Sequence, residues 1–228
     1  MANDTNNTVV SNKKVINFND IVRVEVGVDD HFKVFTVHAE FLTARSLFFK
    51  KALSGGWKEA EERIVRLPED DTDTFILYLH YLYKSELPIE PDPVPSGYSG
   101  VEEYIKLAKL YVFAEKMQDI PCKNAIIKAL VSRIYMKRDS GRWYAFSTFS
   151  TRVIYKGTLP GSPARRLLVD VFTYNAEDSW IAGSSAWPEE FVRELAISLL
   201  GFRAISDSHP AMKDGGMAYM EVEAKEVA

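Results

Sequence analysis

The residues that could perform catalysis or bind a metal are few and widely spaced in this 228-residue sequence. Cys122 is the only cysteine, which excludes an intrachain disulfide and a cysteine-rich zinc site. Paired carboxylates lie among polar residues and lack the apolar surroundings of a general acid; they are Glu61-Glu62 and Asp70-Asp71. The histidines lack the spacing of metal ligands; they are His31, His38, His80 and His209. No phosphate-binding, serine-nucleophile or metalloprotease motif is present. We therefore expect no enzyme activity, no metal or other cofactor, and no small-molecule substrate.

The segment Trp57-Lys58-Glu59 is the clearest candidate for binding another protein. A tryptophan beside a carboxylate is typical of the residues that anchor protein interfaces. A second interpretation is that Trp57 covers the core beneath the neighbouring helices and that Glu59 forms a local ion pair. Both interpretations are open at this point, and the second is favoured.

Residues 121–170 form a basic segment, with ten lysines and arginines against two acids, Asp139 and Asp170, in a chain of net charge -4. Such a segment could bind nucleic acid or an acidic protein, and Arg165 and Arg166 are its candidate partner-binding residues. The alternative is a solvated face that docks against the acidic residues of the preceding domain. This alternative is favoured because the sequence contains no nucleic-acid-binding motif.

The composition is that of an ordinary soluble domain, with 46% hydrophobic and 26% charged residues. No apolar run approaches the roughly 20 residues that cross a bilayer, so we expect no membrane association. Residues 1–14 are polar and lack the apolar part of a secretory signal. We therefore expect a disordered tail over 1–14 and an intracellular protein, cytoplasmic, nuclear or both.

The first half of the chain predicts a small sheet followed by helices. Val22, Val24 and Val26 alternate as in a strand, and Phe32 to His38 forms a second strand of the same hairpin. Residues 41–53 have helical spacing that breaks at Ser46 and stops at Gly55-Gly56. A short third strand is predicted over residues 63–67.

Three further helices are predicted before residue 138. One begins at Asp70-Asp71 and buries Phe75, Leu79 and Leu82. A proline-rich loop over residues 88–100 separates it from a helix over 101–116. The third begins at Pro121, and its predicted apolar stripe is Ile127, Leu130, Val131 and Ile134.

The remaining sequence predicts a helical extension. A break at residues 139–141 precedes it, Ser162-Pro163 is a helix start, and Pro188 opens a helix whose Phe191, Leu195 and Leu199 share one side. From residue 206 the sequence has no core pattern, and we expect a flexible tail over 206–228.

The order of these elements and their residues closely resembles the BTB/POZ domain family, particularly its compact fungal members. The resemblance rests on several stretches in sequence; they are Asp20-Ile21-Val22, Phe35-Thr36-Val37-His38, Ser46-Leu47-Phe48-Phe49, residues 55–59, residues 64–71, residues 75–83 and residues 110–116. It implies an α+β fold, a three-stranded sheet with five to six helices, over residues 15–138. The segments at 162–170 and 188–191 are similar to the helical extension of the fungal members, which we place at residues 139–205.

The resemblance also implies a function and roles for particular residues. BTB/POZ domains bind other proteins and self-associate, although residues 1–14 do not resemble the helix that exchanges between chains in many BTB dimers. Asp20, His38, Ser46 and Tyr83 are structural positions of the family, where Asp20 caps or bonds backbone and His38 is buried and bonded to backbone. Trp57 and Glu59 match by type and position the motif that binds the cullin-3 scaffold. The expected function is therefore a protein-interaction module, and a narrower hypothesis makes it a substrate-recruiting adaptor for a cullin-3-type ubiquitin ligase. The alternative is a nuclear, transcription-associated regulator that uses the basic segment.

Overall fold

The computed structural model describes residues 15–136 and 146–202 of the chain. The predictions for the tail over 1–14, the break at 139–141 and the tail over 206–228 concern residues outside these ranges. The first elements along the chain are β1 (Ile21–Val26), a 3-10 turn (Asp29–His31) and β2 (Lys33–His38). These are followed by α1 (Ala39–Thr43), α2 (Leu47–Ala52), α3 (Lys58–Glu62) and β3 (Ile64–Leu67).

The three strands form one mixed sheet in the order β2-β1-β3. β1 and β2 are the predicted hairpin and run antiparallel from the pair Ile21 and His38 to the pair Val26 and Lys33. β3 lies parallel to β1 on its other edge. The alternating valines of β1 are buried, as predicted, because a strand with one covered face directs every second side chain inward.

Three longer helices follow β3. They are α4 (Thr72–Lys84), α5 (Val101–Met117) and α6 (Ile120–Ile134). α5 packs on both α4 and α6. Asp71 begins α4 by accepting a hydrogen bond from the Asp73 N–H, which confirms the predicted helix start. Phe75 and Leu82 are buried as predicted, whereas Leu79 is half-buried. The region from 88 to 100 contains neither helix nor strand, in agreement with the predicted loop.

The apolar stripe of α6 differs from the prediction. Its buried residues are Cys122, Ile126, Leu130 and Ile134, while Ile127 and Val131 are only half-buried. These four residues are spaced by four, so they lie along one side of the helix that faces α5. The prediction is confirmed for Leu130 and Ile134 and wrong for Ile127 and Val131.

The extension contains α7 (Thr148–Gly157), α8 (Pro163–Asn175), α9 (Asp178–Ala182) and α10 (Glu189–Phe202). The predicted start at Ser162 is confirmed, since its hydroxyl accepts a hydrogen bond from the Arg165 N–H. α7 packs directly on α5, and α8 packs on α10. Phe172 lies at the centre of an aromatic cluster, in edge contact with Trp180, Trp187 and Phe191 at ring distances of 5.0 to 5.6 Å. Of the three residues predicted to share one side of α10, Phe191 and Leu195 are buried and Leu199 is 46% exposed.

The structure agrees with the expected fold class. It is an α+β domain with a three-stranded sheet and six helices through residue 134, followed by a helical extension.

Candidate partner-binding surface

Trp57 stands at the edge of an open groove of about 380 Å³. The preceding turn positions it, because Gly55 adopts a left-handed φ of 72° that glycine reaches without strain. The carbonyl of Trp57 then accepts hydrogen bonds from the N–H groups of Ala60 and Glu61, which begins α3. Its side chain is 66% exposed, so it does not cover the core. The favoured interpretation from sequence is wrong for Trp57.

The groove has an apolar floor and a charged rim. Phe48 and Ala52 of α2, buried Val65 of β3 and Gln118 at the end of α5 line it. Glu59 and Lys51 lie on the rim, and no ion pair joins either one to another residue of ranges 15–136 and 146–202. The local ion pair expected for Glu59 is therefore absent among these residues.

Glu62 forms the local ion pairs of α3 instead. Its carboxylate accepts a hydrogen bond of 3.1 Å from Arg66 Nη1 and lies 3.5 Å from Lys58 Nζ. The hydrogen bond from Arg66 is the main cause of a lowered Glu62 pKa. Arg66 also pairs with Glu25 at 3.1 Å, so the second cation of the groove is neutralised by its neighbours. Glu59 and Glu61 are thus the acids of α3 without an ion pair among the described residues, and of these two only Glu59 lines the groove.

Ser46 holds α2, which lines the groove, against the end of α5. Its hydroxyl accepts the hydrogen bond of the Phe49 N–H at 3.1 Å and donates to the Met117 carbonyl at 2.7 Å. It therefore begins α2 and ties that helix to the end of α5, beside Gln118. This buried contact explains the predicted break in the helical pattern at Ser46.

A buried polar network is centred on Asp119, the residue after Gln118, and sequence reasoning did not find it. Fully buried Asp119 accepts hydrogen bonds from the Cys122 N–H at 2.8 Å and the Tyr78 hydroxyl at 3.1 Å, and Arg45 Nε lies 3.5 Å from it. Burial and the nearby Asp119 carboxylate raise the pKa of Tyr78 well above its ordinary value. An aspartate two residues before Pro121 is a helix-start signal that could have revealed the capping role. The network connects α4 to the turn between α5 and α6.

His38, the last residue of β2, forms a pair with Tyr83 of α4. The Tyr83 hydroxyl accepts a hydrogen bond of 3.1 Å from the His38 N–H and lies 2.8 Å from His38 Nδ1. The expectation of a buried histidine bonded to backbone is corrected, because His38 is half-buried and its ring bonds to a side chain. Phe41 stacks on Tyr83 at 4.4 Å.

Asp20 bonds to its surroundings in two ways. Its carboxylate pairs with the guanidinium of Arg63, and its carbonyl accepts a hydrogen bond of 2.8 Å from the Ala39 N–H. The side chain therefore forms an ion pair with the end of α3 and is not the cap that the resemblance implied.

The arginines proposed for partner binding have opposite environments. Arg166 is exposed, whereas only 3% of Arg165 is exposed. The guanidinium of Arg165 donates to the carbonyls of Tyr155 and Thr158 at 2.7 and 2.6 Å and pairs with Glu190. Arg165 as a partner-binding residue is therefore a wrong prediction, because its hydrogen bonds join α7, α8 and α10 and leave nothing for a ligand.

Two other cations of the basic segment are also paired internally. Lys123 contacts Glu115 at 2.7 Å, and Arg133 contacts Glu90 and Glu103 at 3.0 and 3.1 Å. These acids are not the ones expected from sequence, which were Glu59, Glu61, Glu62, Glu69 and Asp70. Among the described residues of the basic segment, four exposed cations form no ion pair; they are Lys128, Arg152, Lys156 and Arg166.

The described part of the chain has neither a membrane-spanning helix nor a cluster of metal ligands. None of its helices is both long and apolar enough to cross a membrane. Residues 15–136 and 146–202 contain no group of three or more metal-ligating side chains in position to hold an ion. Burial and the Asp119 carboxylate raise the pKa of the Cys122 thiol, which fits the role of a buried apolar residue.

A small mixed sheet, a helix cluster and an exposed tryptophan beside a groove define an α+β protein-interaction module. Residues 17–124 match the family model of the BTB/POZ domain, so this part of the chain is a BTB/POZ domain. The match includes Trp57, Glu59 and the whole groove. It ends within α6, before the helical extension.

Proposed function

We propose that this BTB/POZ protein is a substrate-recruiting adaptor that binds a cullin-3-type scaffold through the groove beside Trp57. The observation that carries the proposal is the exposure of Trp57, two-thirds of whose surface is free at the rim of an apolar groove. A large aromatic side chain in this position exposes apolar surface to water, which is unfavourable until a partner covers that surface.

Glu59 supports the same surface. Its carboxylate forms no ion pair with another described residue. Glu59 lies two residues after Trp57, in the first turn of α3, and both line the groove. A carboxylate on the rim of an apolar contact contributes to the choice of partner by pairing with a complementary donor. Trp57 thus supplies the binding energy and Glu59 supplies selectivity.

The rigidity of the groove is a third support. The bonds of Ser46 and Asp119 hold its walls in the unbound chain. A preformed groove loses little conformational entropy on binding.

The nucleic-acid alternative is not part of the proposal. Arg165, Arg133 and Lys123 already have internal acidic partners. The unpaired cations of the basic segment lie on three helices, Lys128 on α6, Arg152 and Lys156 on α7, and Arg166 on α8, and of these Arg152 and Lys156 line one pocket.

The test is a pull-down of the full chain with cullin-3. Trp57→Ala should weaken binding by roughly 30-fold or more, as expected for an aromatic anchor at the centre of an interface. Glu59→Ala should weaken it to a smaller extent.

The chain offers matched controls for both changes. Glu61→Ala alters an exposed acid of the same helix that is absent from the groove, and Tyr135→Ala removes an exposed aromatic at the far end of α6. Both should bind as the unaltered chain does. Absence of cullin-3 binding, or binding indifferent to Trp57→Ala and Glu59→Ala, would contradict the proposal.

A further inference from the structure

A second cleft, of about 560 Å³, lies between α7 and the start of α10. This extension cleft is lined by Arg152, Tyr155 and Lys156 of α7, by the turn over residues 185–188, and by Glu189 and Glu190. Its volume falls within the range of about 300–1,000 Å³ that is typical of ligand-binding sites. All of its lining residues follow the BTB/POZ match, which ends at residue 124.

One wall of the extension cleft carries two positive charges. Arg152 and Lys156 are four residues apart on α7, so their side chains lie on the same face of the helix. Both are exposed, and neither forms an ion pair with another described residue. Cations at this spacing attract a ligand that carries carboxylates, because charge-assisted hydrogen bonds to carboxylates are strong.

The opposite wall carries two acids, of which one is already paired. The carboxylate of Glu190 pairs with the buried guanidinium of Arg165. Glu189 is exposed and forms no ion pair within the described part of the chain. Arg152 and Lys156 therefore face one uncompensated acid among the charges that line the cleft.

Trp187 supplies an aromatic surface and a hydrogen-bond donor. Its ring packs against Phe172 and Phe191 at 5.2 and 5.3 Å, which fixes its position. Its Nε1 atom is buried and has no hydrogen-bond partner among the residues that the structure describes. Buried N–H groups are normally paired, and a ligand oxygen beside the ring would give this one an acceptor.

The shape of the extension cleft suits a peptide segment better than a small molecule. Six of its nine lining residues are exposed, so the cleft is open to solvent. Sites for small molecules bury most of the ligand surface. A peptide that belongs to a larger protein suits an open cleft, because the rest of that protein covers the polar rim.

We propose that the extension cleft binds an acidic peptide segment of a partner protein. Its carboxylates pair with Arg152 and Lys156, and a neighbouring apolar side chain packs on Trp187. The cleft shares no residue with the groove beside Trp57, so the two surfaces bind independently. Identifying this partner with the recruited substrate rests on the proposed function, whereas the binding of acidic peptides does not.

Selection from a display library of short random peptides tests the proposal. The library is first depleted on the full chain carrying both Arg152→Glu and Lys156→Glu, and the remainder is selected on the unaltered full chain. We expect enrichment of peptides rich in aspartate and glutamate next to an apolar residue. If no peptide is enriched, or if the enriched peptides carry no excess of acidic residues, the proposal is overturned.

Fluorescence anisotropy of an enriched peptide measures the contribution of each charge. Reversing both cations should weaken binding by about tenfold or more, because two attractive contacts become repulsive. Glu189→Gln should strengthen binding by about twofold, because it removes the opposing charge. The matched control carries Lys50→Glu and Lys128→Glu, which change the net charge equally at exposed sites outside the cleft, and it should bind as the unaltered chain does.

A peptide of opposite charge separates direct contact from loss of structure. With lysine in place of its acids, the peptide should lose binding to the unaltered chain and bind the charge-reversed chain instead. Equal binding of both peptides to the unaltered chain would overturn the proposal. So would polyuridylate that displaces the acidic peptide at lower concentration in about 0.15 M salt, since that result identifies a nucleic-acid site.

The extension cleft and the groove beside Trp57 are tested separately. A chain that binds cullin-3 but enriches no acidic peptide would overturn the proposal for the cleft alone. A chain that binds acidic peptides through Arg152 and Lys156 but does not bind cullin-3 would support the cleft and contradict the adaptor function.

Discussion

Arg165 and Arg166 are adjacent in sequence, yet one is enclosed by the protein and the other faces solvent. Arginine is rarely buried without partners, so sequence alone favours exposure for both. The partners of Arg165 come from the end of α7 and the beginning of α10, and their proximity depends on how the helices pack. The difference between the two arginines could not be predicted from local sequence.

Replacing these two arginines separately should have very different effects on stability. Arg165→Ala leaves two buried carbonyls without a donor and should lower the free energy of unfolding by roughly 2–4 kcal/mol. Arg166→Ala should change it by less than about 0.5 kcal/mol, as is usual at exposed sites. Chemical denaturation of the two variants makes the comparison. Equal effects would mean that Arg165 does not join the three helices.

The Cys122 thiol should be unreactive in the native protein. Burial, with a contribution from the Asp119 carboxylate, raises its pKa, so the thiolate is disfavoured in the folded state. We expect a disulfide reagent at pH 8 to label Cys122 only after denaturant is added. Rapid labelling of the native chain would contradict the burial of this residue.

The same shift predicts how stability depends on pH. The folded state holds the thiol proton more tightly than the unfolded state, so this contribution to stability falls as pH rises above about 8.5. Cys122→Ala should therefore flatten the decrease in stability measured between about pH 8.5 and 9.5. An unchanged pH dependence in this variant would contradict the raised pKa.

At the scale of elements, α7 shows why one helix was not predicted. Two of its four buried residues are Ser150 and Thr151, so Ile154 and Tyr155 alone do not form a long apolar stripe. α3 and α9 were missed for a different reason, because each has only five residues and buries none of them. By contrast, α4 and α8 have local start signals, at Asp71 and Ser162, and both were predicted.

Close packing at Gly157 holds α7 against α5. A Cβ atom at this position would lie 2.2 Å from Val112 Cγ1 and 2.5 Å from Cγ2. Gly157→Ala should therefore reduce the free energy of unfolding by roughly 1–3 kcal/mol through overpacking. Thermal or chemical unfolding measures the effect.

Two comparisons show whether this cost arises from the contact with Val112. Gly56→Ala should be nearly neutral, because no atom lies within 4 Å of the added methyl group. A Val112→Ala background removes the two closest contacts and leaves only the Cβ atom of residue 112, at 2.9 Å, so Gly157→Ala should cost less than in the unaltered chain. If Gly157→Ala lowers the free energy of unfolding equally in both backgrounds, the strain does not arise from the contact with Val112.

At the scale of the whole molecule, the BTB/POZ part was predictable and the surfaces were predictable only in part. The sheet and its helices follow from alternating valines, helix-start residues and breaks at glycine and proline, which are local signals. Trp57 and Glu59 were identified by type, but the groove also needs Phe48, Val65 and Gln118, which only the fold brings together. The domain limits at 15–138 and 139–205 and the likeness to fungal members stay predictions.

The exposed apolar side chains of α10 were missed for a similar reason. The predicted stripe of Phe191, Leu195 and Leu199 did not indicate that Val192, Ile197 and Leu200 are exposed.

Hydrogen–deuterium exchange of the full chain with and without cullin-3 tests the central claim most directly. The predicted result is slower exchange of the amides of residues 48–66 and of those around Gln118, with loss of this protection in Trp57→Ala. Cullin-3 binding that slows exchange only within residues 148–202, and leaves residues 48–66 unchanged, would contradict the assignment of the groove beside Trp57 as the scaffold-binding surface.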